Sequence, residues 1–304
     1  MRSIPERAKS TAYVRLHRVA AQLKPMSVPT RSEPIMARAA TENFPVASRL
    51  LPARLRTHLL AIYGFARLAD ELGDEIHGDR LAALDWLSAE LDRAFAGTST
   101  HPLLRALTPT ITECDLAREP FERLIEANRV DQRVHSYETW AALLEYCHLS
   151  ADPVGELVLG VFGALTPERI ACSDAVCTAL QLTEHWQDIR EDLARGRVYV
   201  PLEDLARHGC TIDDLAAKRV GHRLRRVLAL EAARTAVLFR QGDSLVASLR
   251  GWPRLAVAGY SGGGRAALEA LALADYEVLA LHPRPTRRRT LGAIVRVLVR
   301  AAGG

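Results

Sequence analysis

The sequence has few aromatic residues and no long apolar run. Aromatic side chains make up 6% of the 304 residues, and the formal net charge is only +4. Nucleic-acid-binding proteins combine clustered basic patches with aromatic residues, so we expect no nucleic-acid partner. No stretch approaches the roughly 20 apolar residues that a membrane-spanning helix needs, and the basic N-terminal stretch lacks the apolar segment of a secretory signal. These absences predict a cytoplasmic globular protein.

Paired cysteines and phosphate-binding glycine loops are also missing. The five cysteines form no CxxC pair, which favours reduced thiols over a disulfide framework or a zinc site. The glycine-rich run over residues 259–265 follows no predicted strand, so a phosphate-binding loop is not favoured. We expect this run to be a loop that caps the final helices.

Helical periodicity dominates what is present. Apolar residues recur at helical spacing along most of the chain, and convincing alternating strands are absent. The fold class predicted is therefore all-α, with helices around a central cavity. No linker divides the chain, so we expect a single domain over residues 39–304, preceded by a basic, disordered tail over residues 1–38. One predicted helix starts at Pro52 and weakens or ends at Gly73, and another continues from Pro167 to Gly196.

Two acid pairs, about 110 residues apart, carry the strongest chemical signal: Asp70 with Asp74, and Asp188 with Asp192. Four-residue spacing on a helix points both carboxylates of a pair the same way, and such like charges repel by a few tenths of a kcal/mol. Divalent cations would compensate them. Hard carboxylate ligands, with substrate phosphates completing the coordination shell, suit Mg²⁺.

On the first helix, Tyr63, Arg67, Asp70 and Asp74 form one stripe at i, i+4, i+7 and i+11. A solvated face is the alternative for such a stripe, because charged residues are usually exposed. Apolar flanking residues argue against it. For Arg67 an intrahelical salt bridge to Glu71 is nearly as consistent with the spacing as a substrate contact.

The second helix repeats the arrangement, with Glu184, Asp188 and Asp192 at i, i+4 and i+8 and Gln181 nearby. Two acid ladders that face each other across a helical bundle are a known way to build a metal site. Cations held there could grip a diphosphate and make it a leaving group, provided that a dry, apolar cavity protects the resulting carbocation. Arg67 and Arg197 would add charge-assisted hydrogen bonds to the phosphate oxygens.

With these motifs the chain resembles the squalene/phytoene synthase family of head-to-head isoprenyl diphosphate synthases, from about Glu42 to the final helix. The resemblance implies an isoprenoid-synthase fold, several Mg²⁺ ions and a prenyl diphosphate substrate. It places Asp70, Asp74, Asp188 and Asp192 at the metals, and Tyr63 and Arg67 near the departing diphosphate. Glu184 is a further predicted metal ligand, because its carboxylate can also bind Mg²⁺. The segments that carry it are Leu50–Pro52, Tyr63–Asp74, Tyr146–Cys147, Val154–Gly155, Gln181–Thr183, Asp188–Asp192 and Arg195–Pro201.

Within the family, the segments at residues 42–48, 150–155 and 180–188 are similar to the hydroxysqualene synthases of bacterial hopanoid pathways. Such enzymes, which act as lyases, ionise presqualene diphosphate and let water capture the cation, so NADPH is not expected. The substrate-binding residues that we predict are Phe44, Ser150, Val154, Gly155, Gln181, Gln187, Arg197 and Tyr199. For Phe44 and the small residues among them, plain helix packing is about as probable.

Two positions depart from the family pattern: Glu184 stands where most relatives have Asn, and Gln187 where many have Arg. Gln187 cannot pair with phosphate as Arg would, which favours a substrate with one diphosphate. A prenyltransferase that condenses two farnesyl diphosphates to presqualene diphosphate or squalene is the alternative. A further alternative is a non-catalytic relative that serves as a binding or assembly factor, although both acid ladders are intact.

The C-terminal end is basic, with six arginines between residues 284 and 300. A solvated face is the common explanation for such a cluster. The second is peripheral contact with anionic lipid at the inner membrane face, because each basic residue near such a surface contributes about 1 kcal/mol. Contacts with neighbouring enzymes of the pathway are a further expectation from the resemblance.

Overall fold

The structure, a computed structural model, describes residues 51–303. The predicted tail and Phe44 lie outside the described residues. Within them the architecture is all-α, as predicted, without a strand and with one isolated bridge between Ser136 and Val198. The helices are α1 Ala53–Asp74, α2 Arg80–Phe95, α3 Pro102–Glu113, α4 Glu119–Val130, α5 Trp140–Ser150, α6 Asp152–Val161, α7 Pro167–Gln187, α8 Ile189–Ala194, α9 Leu202–Arg207, α10 Ile212–Leu215, α11 His222–Gln241, α12 Asp243–Ser248, α13 Gly251–Leu273 and α14 Arg287–Arg300.

Helix α1 starts directly after Pro52, whose fixed φ suits a helix boundary. Its inward stripe includes Phe65, Leu68 and Leu72, all fully buried. The helix ends at Asp74, one residue after Gly73 and close to the predicted end. Gly73 also serves packing: a Cβ there would collide with the side-chain amide of Asn128, so α4 packs directly against the end of α1.

The second acidic helix is not continuous. Thr166 accepts a hydrogen bond from the Arg169 amide and Pro167 occupies the first turn, which fixes the start of α7. The helix then ends at Gln187, because Asp188 has φ −104° and ψ 17°, and the short α8 follows. The prediction of one helix to Gly196 is therefore wrong at Asp188, which lies at a junction between two helices.

The glycine-rich run is not a loop. Residues 259–265 lie inside α13, and Gly262 and Gly264 are buried. A Cβ at Gly262 would lie 2.7 Å from the Cα of Ile294, so the missing side chain lets α14 pack closely against α13. The prediction of a capping loop is wrong because tertiary packing overrides the low helix propensity of glycine.

Three apolar clusters hold the helices together. One joins α1 to α4 and α6, a second surrounds α7 and α11, and a third joins α6, α12, α13 and α14. Helices α1 and α7 therefore belong to different clusters, with α6 packed against both. This arrangement leaves an apolar cavity between them.

Candidate active site

The cavity encloses about 200 Å³ and is almost entirely apolar in its lining. Tyr63, Val154 and Gly155, which were predicted near the substrate, all line it. A Cβ at Gly155 would lie 2.6 Å from Cys177 Sγ, so this glycine serves close packing of α6 on α7 as well as lining the cavity. Further lining residues are Leu59, Ile62, Ala66, Val158, Leu159, Ser173, Val176, Leu180, Leu245, Val257 and Tyr260.

Helices α1 and α7 each contribute both apolar lining and acids. On α1 the lining ends at Ala66 and the acids follow at Asp70 and Asp74; on α7 it ends at Leu180, with Glu184 and Asp188 beyond. At 1.5 Å per residue the carboxylates begin about 6 Å further along each helix. The acids of both motifs therefore follow the C-terminal ends of the two apolar stretches.

Arg197 links the two acidic motifs. Its backbone amide donates to the carbonyl of Asp192 at 2.9 Å, while its guanidinium donates to both carboxylate oxygens of Asp74 at 2.5 and 3.1 Å. A single residue thus bridges the backbone of Asp192 and the carboxylate of Asp74. Their side chains are partly shielded: 25% of Asp74 and 15% of Asp192 are exposed, against 49% of Asp70 and 43% of Asp188.

Sequence reasoning missed a buried carboxylate beside Arg197. The carboxylate of Asp131 lies 4.0 Å from the guanidinium and accepts a hydrogen bond from the Tyr146 hydroxyl at 2.9 Å. Its other oxygen, Oδ1, is buried without a hydrogen-bond partner. Burial raises the pKa of Asp131 to about 7, against the lowering effect of Arg197 and the Tyr146 hydrogen bond. The only sequence signal near Asp131 was the Tyr146–Cys147 segment, one of those that carry the family resemblance.

Aromatic rings join this carboxylate to the second motif. Tyr199 stacks on His185 at 3.6 Å between ring centroids and lies 5.7 Å from Tyr146. Burial raises the pKa of both tyrosines, so both hydroxyls stay protonated. His185 also approaches Asp192, with Nδ1 3.8 Å from Oδ2. Rings and hydroxyls thus connect Asp131 to Asp192.

Asp188 has a neighbour that no spacing predicted. His282 Nε2 lies 3.6 Å from its Oδ1, and His282 Nδ1 lies 3.9 Å from Glu191 Oε1. Burial, followed by the negative charge of Asp192, raises the pKa of Asp188. His282 is about 90 residues away in sequence, and no pattern in the chain connects it to the acidic helices.

The donor set fits a hard divalent cation. One ligand atom each from Asp188, Glu191 and His282 lies within 4.8 Å of the others, and carboxylate oxygens are the donors that Mg²⁺ prefers. Of the five predicted metal ligands only Asp188 belongs to this group. Asp70, Asp74, Glu184 and Asp192 stay predictions. Two of the five already have an arginine partner, Asp74 with Arg197 and Asp70 with Arg67.

The remaining predicted residues have varied surroundings. Arg67 pairs with Asp70 at 3.4 Å, the partner three residues on, and its Nε is buried without a hydrogen-bond partner. Gln181 Nε2 lies 3.2 Å from His185 Nε2. Ser150 ends α5 with a buried, unpartnered hydroxyl.

Gln187 makes a contact within the protein. Its side chain is buried and donates a 2.8 Å hydrogen bond to the carbonyl of Pro283. Arg190 similarly donates to the Leu279 carbonyl at 3.0 Å. Both contacts hold the segment that carries His282 against the second motif. Gln187 thus has a structural contact, and its role in substrate binding stays a prediction.

The described residues also bear on two broader expectations. All five cysteines are free thiols, as predicted. No helix within residues 51–303 is both long and apolar enough to cross a membrane.

Comparison with known proteins decides the family. The family description "squalene/phytoene synthase" matches residues 37–291, which is most of the chain. The chain belongs to the squalene/phytoene synthase family. Its members process prenyl diphosphates, so this protein is related to isoprenoid-biosynthesis enzymes, as the sequence motifs predicted.

Curated relatives include two bacterial hydroxysqualene synthases. That of Rhodopseudomonas palustris is 36% identical over 213 residues, covering 69% of this chain and 72% of the relative. That of Sinorhizobium fredii is 35% identical over 218 residues, covering the same shares.

Solved structures confirm the isoprenoid-synthase fold. The squalene synthase HpnC of Alicyclobacillus acidocaldarius is 51% identical, with a TM-score of 0.74, over 80% of this chain and 92% of that chain. A ligand complex of a dehydrosqualene synthase superposes with a TM-score of 0.78 at 23% identity, over 90% of this chain and 97% of that one.

Proposed function

We propose that this protein converts presqualene diphosphate and water to hydroxysqualene and diphosphate with the help of Mg²⁺. The C–O bond to the diphosphate breaks, and its electron pair leaves with the diphosphate. The cyclopropyl ring of the cation opens, water attacks the carbocation, and the attacking water loses a proton. No reductant is needed to balance this reaction. The similarity to two hydroxysqualene synthases supports this assignment within the family.

The observation that carries the proposal is the Arg197 link, which brings two acidic motifs together beside one apolar cavity. A diphosphate needs a cationic, polar site, and a carbocation needs dry, apolar surroundings. Because α1 and α7 each change from apolar lining to acids along their length, one substrate could extend from one environment into the other.

The chain's own residues would prepare the leaving group. Mg²⁺, when bound, would neutralise the diphosphate and promote its departure. The metal ligands that we propose are Asp70, Asp74, Glu184, Asp188 and Asp192. Arg67, whose Nε has no partner, would donate to a phosphate oxygen. Arg197 would share its guanidinium between Asp74 and the diphosphate.

The cavity would hold the hydrocarbon and limit access of water. Its volume of about 200 Å³ is below the roughly 300–1,000 Å³ of common ligand pockets. A C30 chain would therefore require lining side chains to change rotamer on binding. The buried hydroxyl of Tyr146 and its partner Asp131 would be suited to position a water molecule, because Asp131 Oδ1 is unpartnered.

The second candidate is condensation of two farnesyl diphosphates, the reaction class of other family members. It needs room for a second diphosphate. In this chain Gln187 lacks a positive charge and is bonded to Pro283, so it would not hold that diphosphate. This contact favours the substrate with a single diphosphate.

The test is product analysis with each substrate separately. Purified protein is incubated with Mg²⁺ and either presqualene diphosphate or farnesyl diphosphate, with and without NADPH, in water enriched in heavy oxygen. We expect hydroxysqualene carrying the heavy oxygen from presqualene diphosphate, with no effect of NADPH. Asp188→Asn serves as the inactive variant, and Asp213→Asn, an exposed acid on α10, as its matched control.

Other products would overturn the proposal. Squalene formed only with NADPH would indicate a reductive enzyme, and presqualene diphosphate formed from farnesyl diphosphate would indicate the condensing one. Absence of any product, together with tight binding of either diphosphate, would favour a non-catalytic family member.

A further inference from the structure

The outer face of α14 carries apolar residues where a solvated helix would carry polar ones. Leu291, Val295 and Val299 lie at i, i+4 and i+8 on this helix. Their exposed fractions are 63, 49 and 66%, respectively. The opposite face, with Ala293 and Val297, is buried against the rest of the protein. The stripe therefore lies on the solvent-exposed side of the helix.

Arginines occupy the neighbouring part of the same exposed face. At 100° per residue, Arg288 lies within the apolar stripe, whereas Arg289, Arg296 and Arg300 lie beside it. Among residues 51–303 only Arg296 of these four has an ion-pair partner, Glu269. The exposed face is thus apolar on one side and cationic on the other, as in helices that lie in a membrane interface.

The cationic side of α14 borders a groove of about 410 Å³ between α11, α13 and α14. Four arginines line it above a floor of alanine side chains: Arg240, Arg265, Arg296 and Arg300. Arg265 is already paired with Asp243, but Arg240 and Arg300 have no ion pair within the described residues. Burial lowers the pKa of Arg265, and the positive charges of Arg300 and Arg240 lower it further. This concentration of positive charge is suited to an anion.

Two further exposed apolar residues, Trp252 and Leu255, lie near the C-terminal end of α14. Arg254 donates to the carbonyl of Leu298 and Gly262 approaches Ile294, so α13 and α14 run antiparallel. The first turn of α13, with exposed Trp252 and Leu255, therefore lies beside the last turns of α14. Tryptophan favours the boundary between lipid and water.

We propose that this face docks on a bilayer that contains anionic phospholipid. Leu291, Val295 and Val299, with Trp252 and Leu255, would enter the acyl boundary, while the arginine-lined groove would contact lipid phosphate. Charge complementarity selects this occupant, because the apolar stripe matches the acyl boundary and the arginines without an ion pair within the described residues match anionic lipid phosphate. These arginines are Arg240, Arg288, Arg289 and Arg300. The inference does not rest on the proposed function, since binding to lipid needs no turnover.

The test is flotation of the full-length protein with phosphatidylcholine vesicles, with and without phosphatidylglycerol. We expect binding only to the anionic vesicles, and loss of binding as salt rises. Val295→Asp with Val299→Asp should weaken partitioning about tenfold or more, because charged side chains do not enter the acyl boundary. Arg288→Glu with Arg300→Glu should weaken it by at least about tenfold.

Matched controls are Leu81→Asp on α2 and Arg105→Glu on α3, both exposed and on helices of the α1–α4 cluster; both should bind as the unmodified chain does. Circular dichroism and size-exclusion chromatography check that every variant is folded.

Failure to float with anionic vesicles at low salt would overturn the proposal, as would equal binding by all variants. A dimer that Val295→Asp with Val299→Asp converts to a monomer would instead assign the stripe to a second copy of the chain. Inhibition of flotation by free phosphate, without any dependence on the apolar residues, would reduce the face to an anion site and also contradict it.

Discussion

The two acidic motifs look alike in sequence but differ in how their charge is balanced. On α1, Asp70 pairs with Arg67 and Asp74 with Arg197. Within the described residues neither Asp188 nor Asp192 has an arginine ion pair. Histidines lie near them instead: His282 is 3.6 Å from Asp188 and His185 is 3.8 Å from Asp192. Burial and the charge of Asp192 raise the pKa of Asp188.

The difference indicates a division of labour. Each aspartate of the first motif has an arginine partner in the protein alone, and the two-oxygen contact with Arg197 orients Asp74 before any cation arrives. The second carries repulsion that a cation would relieve. We therefore expect bound metal to stabilise the second motif more than the first. Loss of an arginine partner should destabilise the first motif more than the second.

The largest expected effect is loss of turnover. Asp70→Asn and Asp188→Asn should each reduce kcat by about a thousandfold, because several kcal/mol of metal-assisted stabilisation of the leaving group would be lost. Steady-state assays with presqualene diphosphate measure this, and Asp213→Asn is the control. Full activity of either variant would remove that carboxylate from the metal site.

The pH dependence of stability tests the buried carboxylate of Asp131, which lies beside Arg197. In the folded chain the pKa of Asp131 is about 7, raised from an ordinary value of 3.8. The folded state therefore binds more protons than the unfolded state between these values, and stability falls as pH rises through this window. The free energy of unfolding of Asp131→Asn should not fall in this window. Relative to the unmodified chain it should therefore rise by about 2–3 kcal/mol between about pH 5 and about pH 8. Urea unfolding in EDTA measures it; parallel pH profiles for both proteins would contradict it.

Stability without metal should separate the two motifs directly. Asp74→Asn should lower the free energy of unfolding by about 2 kcal/mol, because the Arg197 guanidinium loses a charged hydrogen-bond partner. Asp188→Asn should leave it unchanged or raise it, since a desolvated charge beside other acids is removed. Urea unfolding in EDTA compares the two, and equal losses for both would erase the distinction drawn above.

The smallest expected effect concerns metal affinity at the second motif. His282→Ala should raise the Mg²⁺ concentration needed for half-maximal activity by about tenfold, as loss of a group that orients metal ligands commonly does. His222→Ala, an exposed histidine at the start of α11, is the matched control. An unchanged midpoint would show that His282 does not support the metal.

The sequence supports some predictions better than others, for identifiable reasons. The first acidic helix follows from spacing alone, because Tyr63, Arg67, Asp70 and Asp74 do share one continuous helix. Helix breaks were harder to predict: the interruption at Asp188 and the continuous helix through the glycine run both depend on packing partners. Gly262 is explained only by the backbone of Ile294, which is remote in the chain.

Local patterning by itself determined the all-α fold and the two acid motifs, because helical periodicity and four-residue spacing are properties of neighbouring residues. Similarity across most of the chain added the family. Only the tertiary structure decided that Arg197 neutralises Asp74, that Asp131 is buried beside Tyr146, and that Gln187 donates to the carbonyl of Pro283. Each of these depends on groups distant in sequence, whose charge and burial take effect only once the chain has brought them within a few ångströms.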